Sequence, residues 1–246
     1  MLIVYHVKKC KPIFSEVLIT IYILCVILFT ISWISGTGAI IAQFSLNKDN
    51  TSRMKTVCVY CGSSDKMSEE YLQSARQMGA SIAQRGFTLA YGAGCTGMMG
   101  AVADGALAAG GEVIGVIPEM FTTPTLMHNG LSRLEIVADM HARKKRLVDI
   151  SDAFIALPGG YGTFEELFEV LTWAQIGLHH KPVGLLNTQH YFDPLLIAIE
   201  HARGEGFIYS EHRSLFVYDD QPASLLDLLV RYKYPQGMDK WLTREE

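Results

Sequence analysis

This chain carries no excess of basic charge. Lys and Arg total 21 against 25 Asp and Glu, a formal net charge of −4, so bulk electrostatics do not favour a nucleic acid polymer as partner. Cysteine is scarce and odd in number. Cys10, Cys25, Cys58, Cys61 and Cys95 are scattered through apolar stretches, which reads as reduced intracellular thiols rather than a disulfide framework. The CxxC of Cys58 and Cys61 lies in a strand pattern and has no second ligand pair. His179-His180 has no partnering Cys or Asp, so neither pair makes a metal site and none is expected. No GxxxxGK[ST] occurs, which removes P-loop NTPases. After residue 53 the chain has no internal repeat and no low-complexity segment.

Long apolar runs are also few. Val17 to Ile34 spans 18 residues without a charge, close to the lower limit for a membrane-spanning helix. Lys8, Lys9 and Lys11 would hold the N-terminus in the cytoplasm and send the remainder outside, which fits badly with free thiols. A signal peptide is a second reading, since Gly38 and Ala42 follow the run. The third is favoured: Met54 opens a strand at once, the native start lies there, and residues 1–53 stand outside the fold. On that reading residues 54–246 form a single domain in the cytoplasm. The alternative is a membrane anchor through residues 13–34.

What is present is alternation. Strand-like runs at Thr56–Cys61, Thr88–Tyr91, Val113–Ile117, Leu134–Val137, Ala153–Leu157, Val183–Leu186 and Leu215–Val217 are separated by helical patterns. Those patterns are Glu69–Gln84, Met98–Ala109, Met140–Ile150, Thr163–Ile176, Pro194–Arg203 and Ala223–Tyr232. Continuous apolar strands alternating with helices predict an α/β fold. It is a Rossmann-like, doubly wound, mainly parallel sheet of about seven strands with helices on both faces. Ligands in such sheets sit beyond the carboxyl ends of the strands. The segments Gly62–Ser64, Gly92–Gly97, Pro118–His128 and Pro158–Thr163 all lie there.

Two of these are glycine turns. Gly92-Ala-Gly-Cys-Thr-Gly97 matches GxGxxG after a strand and before a helix, with Glu119 further on, so Gly94 and Thr96 are candidate ligand contacts. The pattern follows the second strand rather than the first, and close helix–sheet packing accounts for it equally well. Leu157 to Glu166, LPGGYGTFEE, is richer. A turn almost without side chains lets a ligand approach the backbone, and a helix starting near Thr163 offers free N–H groups and the positive end of its dipole to a phosphate. Glu165 and Glu166 bring carboxylates to the same place, which a phosphate site needs only if they do chemistry. The competing reading is a capping box in which Glu166 bonds back to the Thr163 N–H. In Arg143-Lys-Lys-Arg146, four consecutive residues point all round a helix, so only one or two can face a pocket.

Pro158-Gly-Gly-Tyr-Gly-Thr-Phe-Glu-Glu166 with Met140-His-Ala-Arg-Lys144 resembles the LOG family, the cytokinin riboside 5′-monophosphate phosphoribohydrolases, often mislabelled lysine decarboxylases. Supporting matches are Val59–Ser64, Tyr91–Gly100, Val113–Pro118 and Thr172–Gln175, so the likeness covers essentially residues 54–232. It implies a homodimer that hydrolyses the N-glycosidic bond of a nucleoside 5′-monophosphate to free base and ribose 5-phosphate, without cofactor. Carried over, Arg143 and Glu166 are the catalytic pair. Lys144, Gly159, Gly160, Tyr161, Gly162, Thr163, Glu165 and Thr172 belong to the substrate site. The plant members carry a glutamate near Thr125; here the segment is Thr125–Gly130, with His128 as the replacement contact. Ala93 stands where many members have glycine.

The residues support this chemistry on their own terms. Departure of a base builds positive charge on the ribose, which a carboxylate such as Glu166 stabilises while orienting water. Arg143 cannot release a proton at neutral pH and serves by hydrogen bonding and charge. Phe164, Leu167, Phe168, Leu171, Trp173 and Ile176 surround their helix with apolar surface, which predicts a partner helix across a two-fold axis, with burial inside its own subunit as the alternative. Two other readings compete. One is a non-catalytic nucleotide- or cofactor-binding module resembling the molybdenum-cofactor carrier proteins. The other is a pyridoxal-phosphate decarboxylase, which needs a Schiff-base lysine that is not evident.

Overall fold

A computed structural model describes residues 54–238. The apolar run and the leader or anchor readings lie outside the described residues. Within them, no helix is long and apolar enough to cross a membrane.

The chain enters at the centre of the sheet. Strand β1 (Thr56–Tyr60) is rich in β-branched and aromatic residues and is buried along almost its whole length. Helix α1 (Glu69–Gln84), β2 (Thr88–Tyr91), α2 (Gly97–Ala108), β3 (Val113–Pro118) and β4 (Arg133–Val137) then build outward to one edge. Helix α3 (Met140–Ile150) returns the chain to the other side of β1, where β5 (Ala153–Ala156) pairs with it, Val57 opposite Ala153 and Tyr60 opposite Ala156. Helix α4 (Tyr161–Gln175), β6 (Val183–Leu186), α5 (Asp193–Gly204), β7 (Val217–Asp219) and α6 (Pro222–Arg231) complete the second half. The order is β4-β3-β2-β1-β5-β6-β7, with every neighbouring pair parallel. The order reverses between β1 and β5, so the crevice beyond their carboxyl ends is the topological switch point.

The strands divide the core by their two-residue period. Val57, Val59 and Cys61 face a cluster with Met78 and Ile82 of α1, Val102 of α2, and Leu225 and Leu229 of α6. Cys58 and Tyr60 face the opposite cluster with Leu147 of α3, Leu167 and Val170 of α4, and Phe192. A fully buried side chain such as Leu147 or Leu167 contributes about 1.5–3 kcal/mol through its removal from water. The same alternation explains the CxxC. A spacing of three on an extended chain puts the two thiols on opposite faces, where they cannot share a metal.

Two elements depart from the sequence expectation by more than a single residue at a boundary. The last strand is Val217–Asp219 rather than Leu215–Val217, because Ser210–Leu215 closes into a 3₁₀ turn and Leu215 is drawn into a small cluster with Ala174 and Met238. Helix α4 starts at Tyr161, two residues before Thr163. Gly160 is the extended N-cap and its carbonyl accepts the first ladder bond, from the Phe164 N–H at 3.1 Å.

Candidate active site

A cavity of about 560 Å³ opens at the switch point, within the range of small-molecule sites. Its floor is the end of β1 with the Gly62–Ser64 turn, and its walls are the Pro158–Glu166 turn and helix start, Arg143 and Met140 of α3, and Met98 and Met99 of α2. The turns after β1 and β5 are tied by Gly62 N–H donating to the Pro158 carbonyl at 3.0 Å.

The early start of α4 changes what Thr163 and Glu166 do. The amides of Tyr161, Gly162 and Thr163 fall in the first turn, ahead of the intrahelical ladder, and carry the positive end of the helix dipole. At Gly160 and Gly162 a side chain would meet nothing within 4 Å, so the turn leaves open space in front of these amides. Thr163 is buried, with its hydroxyl packed where a Gly159 side chain would begin. Glu166 is one turn deeper and makes no capping box. Its Oε1 accepts from Arg143 Nη1 at 2.8 Å, and both side chains are nearly buried, 12% and 11% exposed.

Arg143 is held at a second point, its Nε donating to the Val116 carbonyl at 3.3 Å. Burial pushes the Glu166 carboxyl above the usual carboxylate range, and the guanidinium beside it opposes this without cancelling it. The carboxylate therefore sits in a site of low dielectric with one strong partner, able to act on positive charge that develops nearby. Cys61, which lines the cavity, is not a nucleophile of this kind. Burial first, and the Glu166 charge second, hold its thiol protonated. Burial likewise pushes Cys58 up to about 12.

The first glycine turn serves the same pair. A side chain at Gly92 would begin 1.8 Å from Arg143 Nη2, so this glycine is the gap through which the guanidinium reaches Glu166. Gly97, at φ +57°, lets α2 abut the turn after β1: a Cβ there would lie 2.2 Å from the Ser64 carbonyl. Thr96 Oγ1 donates to the Ser63 carbonyl at 2.8 Å, and the Met98 N–H to the Gly62 carbonyl at 3.0 Å. The GxGxxG thus brings parts of the fold into close approach, and its Gly92 also lines the cavity.

Comparison with known proteins places the chain in a family. The family model described as "Possible lysine decarboxylase" matches residues 99–229. A cytokinin riboside 5′-monophosphate phosphoribohydrolase of Rhodococcoides fascians is 52% identical over 65% of this chain and 81% of its own length. One of Arabidopsis thaliana is 42% identical over 76% of this chain and 86% of its own. The chain belongs to the LOG family. Among solved structures, the molybdenum cofactor binding protein of Rippkaea orientalis aligns with a TM-score of 0.56 at 25% identity, over 72% of this chain and 95% of that one.

In this LOG-family chain the cavity gathers Arg143, Gly159, Gly160, Tyr161, Gly162, Thr163, Glu165 and Glu166 of the residues named from sequence. Five others lie elsewhere. Lys144, one position round the helix from Arg143, turns to α4, where it pairs with Glu165 and with Glu169 at 3.0 Å. Lys145 pairs with Asp149 and Arg146 grips Glu135 through two nitrogens, so only one of the four basic residues enters the cavity. Thr172 stands six residues beyond Glu166 on another face of α4, against a small separate pocket with Phe168 and Gln175. His128 donates through Nε2 to Asp104 at 3.1 Å while its Nδ1 accepts from the Gly130 N–H at 3.0 Å, which closes a local turn. Gly94 bridges to Met127, and Thr96 is committed to Ser63. Ala93 holds φ +60°, the left-handed conformation that glycine adopts freely.

Sequence reading missed Met67, Tyr71, Met98, Met99, Met140 and Tyr191, which give the cavity an apolar and aromatic wall. The doublet Met98-Met99 and Met140 were visible at the starts of helices after strand ends. Tyr71 and Tyr191 carry no local signal. No described residue lining the cavity is a lysine. Among the described residues no three His, Cys, Asp or Glu gather as a metal site.

Proposed function

We propose that this chain hydrolyses the N-glycosidic bond of nucleoside 5′-monophosphates of the adenine and cytokinin type, releasing free base and ribose 5-phosphate. The observation that carries this is the buried Arg143–Glu166 pair, 2.8 Å apart, beside the uncommitted amides at the start of α4. The 5′-phosphate lies against the amides of Gly160, Tyr161, Gly162 and Thr163, which places the ribose before Glu166. The bond from the anomeric carbon to the base nitrogen breaks, and its electron pair leaves with the base. Glu166, as carboxylate, stabilises the positive charge left on the sugar and orients water, whose oxygen bonds to that carbon. Arg143 keeps Glu166 in place and supplies hydrogen bonds without giving up a proton. The water's proton balances the departing base. The wall of Met67, Tyr71, Met98, Met99 and Met140 suits a planar, apolar-substituted purine.

Incubation with AMP and with isopentenyladenosine 5′-monophosphate should release free base, measured by chromatography. Glu166→Gln should lower kcat by on the order of 10²–10⁴ while circular dichroism stays unchanged. Equal turnover in the variant, or no release from either substrate, would refute the reading. The carrier fold of the Rippkaea orientalis protein supports a second reading, ligand carriage without turnover. Binding alone does not require the Arg143–Glu166 pair, and tight ligand retention without base release would favour carriage.

A homodimer formed through α4 is part of the proposal. Leu167 is buried in its own subunit, and Phe164, Leu171 and Trp173 pack partly there too, which leaves Phe168 at 43% exposure as the residue to cover. Light scattering should give twice the monomer mass for the native chain and a monomer for Phe168→Glu; a monomeric native chain would overturn it. The buried, reduced thiols suit a cytoplasmic setting.

A further inference from the structure

The mechanism above leaves unexplained why the peptide groups of the PGGYG turn hold one orientation, since Gly159, Gly160 and Gly162 are intrinsically free to rotate. One side chain bears on this directly. Tyr191, from the segment between β6 and α5, reaches across to the turn, and its hydroxyl donates to the Gly159 carbonyl at 2.6 Å. A trans peptide is planar, so fixing the Gly159 oxygen also fixes the direction of the Gly160 N–H on the other side of the same plane. Gly160 is the N-cap of α4 and lines the cavity. The ring is held as well. It stacks on Phe164 of α4, centroids 6.5 Å apart at 13°, and meets Tyr71 and Phe192 edge-on.

The backbone that delivers Tyr191 is strained. The two residues before it, Gln189 (φ 53°) and His190 (φ 58°), both adopt the left-handed conformation, which is disfavoured for residues with a side chain. Consecutive residues stay there only where their surroundings over-determine them. They do here. Asn187, buried, accepts from the Phe192 N–H at 2.7 Å and donates to Asp193 at 2.8 Å. Thr188, also buried, shares a 2.6 Å hydrogen bond with Ser74 of α1. The Tyr191 N–H donates to the Thr188 carbonyl at 3.1 Å.

We propose that Tyr191 is a positioning residue: held on this strained turn, its hydroxyl sets the peptide plane that aims the Gly160 amide at the substrate's phosphate. The inference rests on the phosphate assignment made above, though not on turnover. It concerns a side chain far from the glycine motif in sequence, and it makes phosphate affinity depend on a phenolic hydroxyl that need not touch the reacting carbon.

The test is Tyr191→Phe in the full chain, which keeps every ring contact and removes one oxygen. Three quantities are compared with the native protein: KM and kcat for AMP, the dissociation constant for ribose 5-phosphate by calorimetry, and Tm. Weaker ribose 5-phosphate binding and higher KM, each by roughly three- to tenfold as one hydrogen bond supports, with kcat changed less, are the expected result. Unchanged ribose 5-phosphate affinity in the variant overturns the proposal, whatever happens to Tm. If the native chain binds ribose 5-phosphate without releasing base, the hydrolase reading falls while weaker binding by the variant still supports this one. If the native chain does not bind ribose 5-phosphate, both fall.

Discussion

The two glycine turns at the carboxyl ends of β2 and β5 look alike in sequence and do opposite things. In the first, the space left by missing side chains is filled by the protein itself: the Arg143 guanidinium beside Gly92, and the Ser63–Ser64 backbone against Gly97. In the second, the space before Gly160 and Gly162 is empty, and the amides of the α4 N-terminus adjoin it. One turn is glycine-rich so that parts of the fold can approach each other; the other leaves open space, which on the proposed function admits the substrate's phosphate. A GxGxxG therefore reports close approach without saying what approaches.

Substitutions at the two turns should separate along this line. Gly92→Ala is expected to have the largest effect, because a Cβ 1.8 Å from Arg143 Nη2 must displace the guanidinium. Base release should fall by roughly 10²-fold in kcat, the loss that a misplacement near 1 Å produces. A normal kcat in this variant would remove Arg143 from the mechanism. Gly162→Ala should behave differently. Nothing lies within 4 Å of its Cβ, so Tm should stay within about 1 °C or rise slightly through lower unfolded-state entropy. KM for AMP should nevertheless rise roughly tenfold as the methyl group enters phosphate space. If Gly162→Ala changes Tm but not KM, the turns do not differ as described.

The smallest effect sits where the two regions meet, at Glu166. Its folded-state carboxyl is raised by burial, so the carboxylate is lost as pH falls through a value above the ordinary Glu range. The acid limb of kcat against pH should lie on that side and move higher in Arg143→Met, which removes the opposing charge. For stability the sign is the reverse of a paired surface carboxylate. The folded state holds this proton more tightly than the unfolded chain, so Glu166 costs stability as pH rises from the unfolded to the folded pKa. An acid limb at or below the ordinary Glu range would contradict the burial argument.

Much of this was readable beforehand, and the failures share a cause. The strands were legible because burial on both faces leaves continuous apolar runs such as Ala153–Leu157. The glycine turn before α4 was legible because few side-chain-free turns precede a helix by chance. Thr163–Glu166 was open to a capping-box reading because that motif is local, whereas the partner that claims Glu166 is 23 residues away. Lys144 was placed in the substrate site by likeness, beside Arg143 of the catalytic pair, but adjacent residues of a motif point about 100° apart on a helix. His128 and Thr172 were placed by likeness alone. Tyr191 could not be found: its partner is 32 residues distant, and nothing in Gln189-His190-Tyr191 signals two left-handed residues.

Sequence by itself determined the alternation of strands and helices, the parallel sheet and the position of the glycine turn before α4, because these follow from periodicity and from glycine and proline, which act over a few residues. Tertiary structure decided which charged side chain enters the cavity, which glycine makes room for it, and what holds the turn. Those outcomes depend on distances between segments tens of residues apart, and local composition carries no measure of such distances until the sheet has folded.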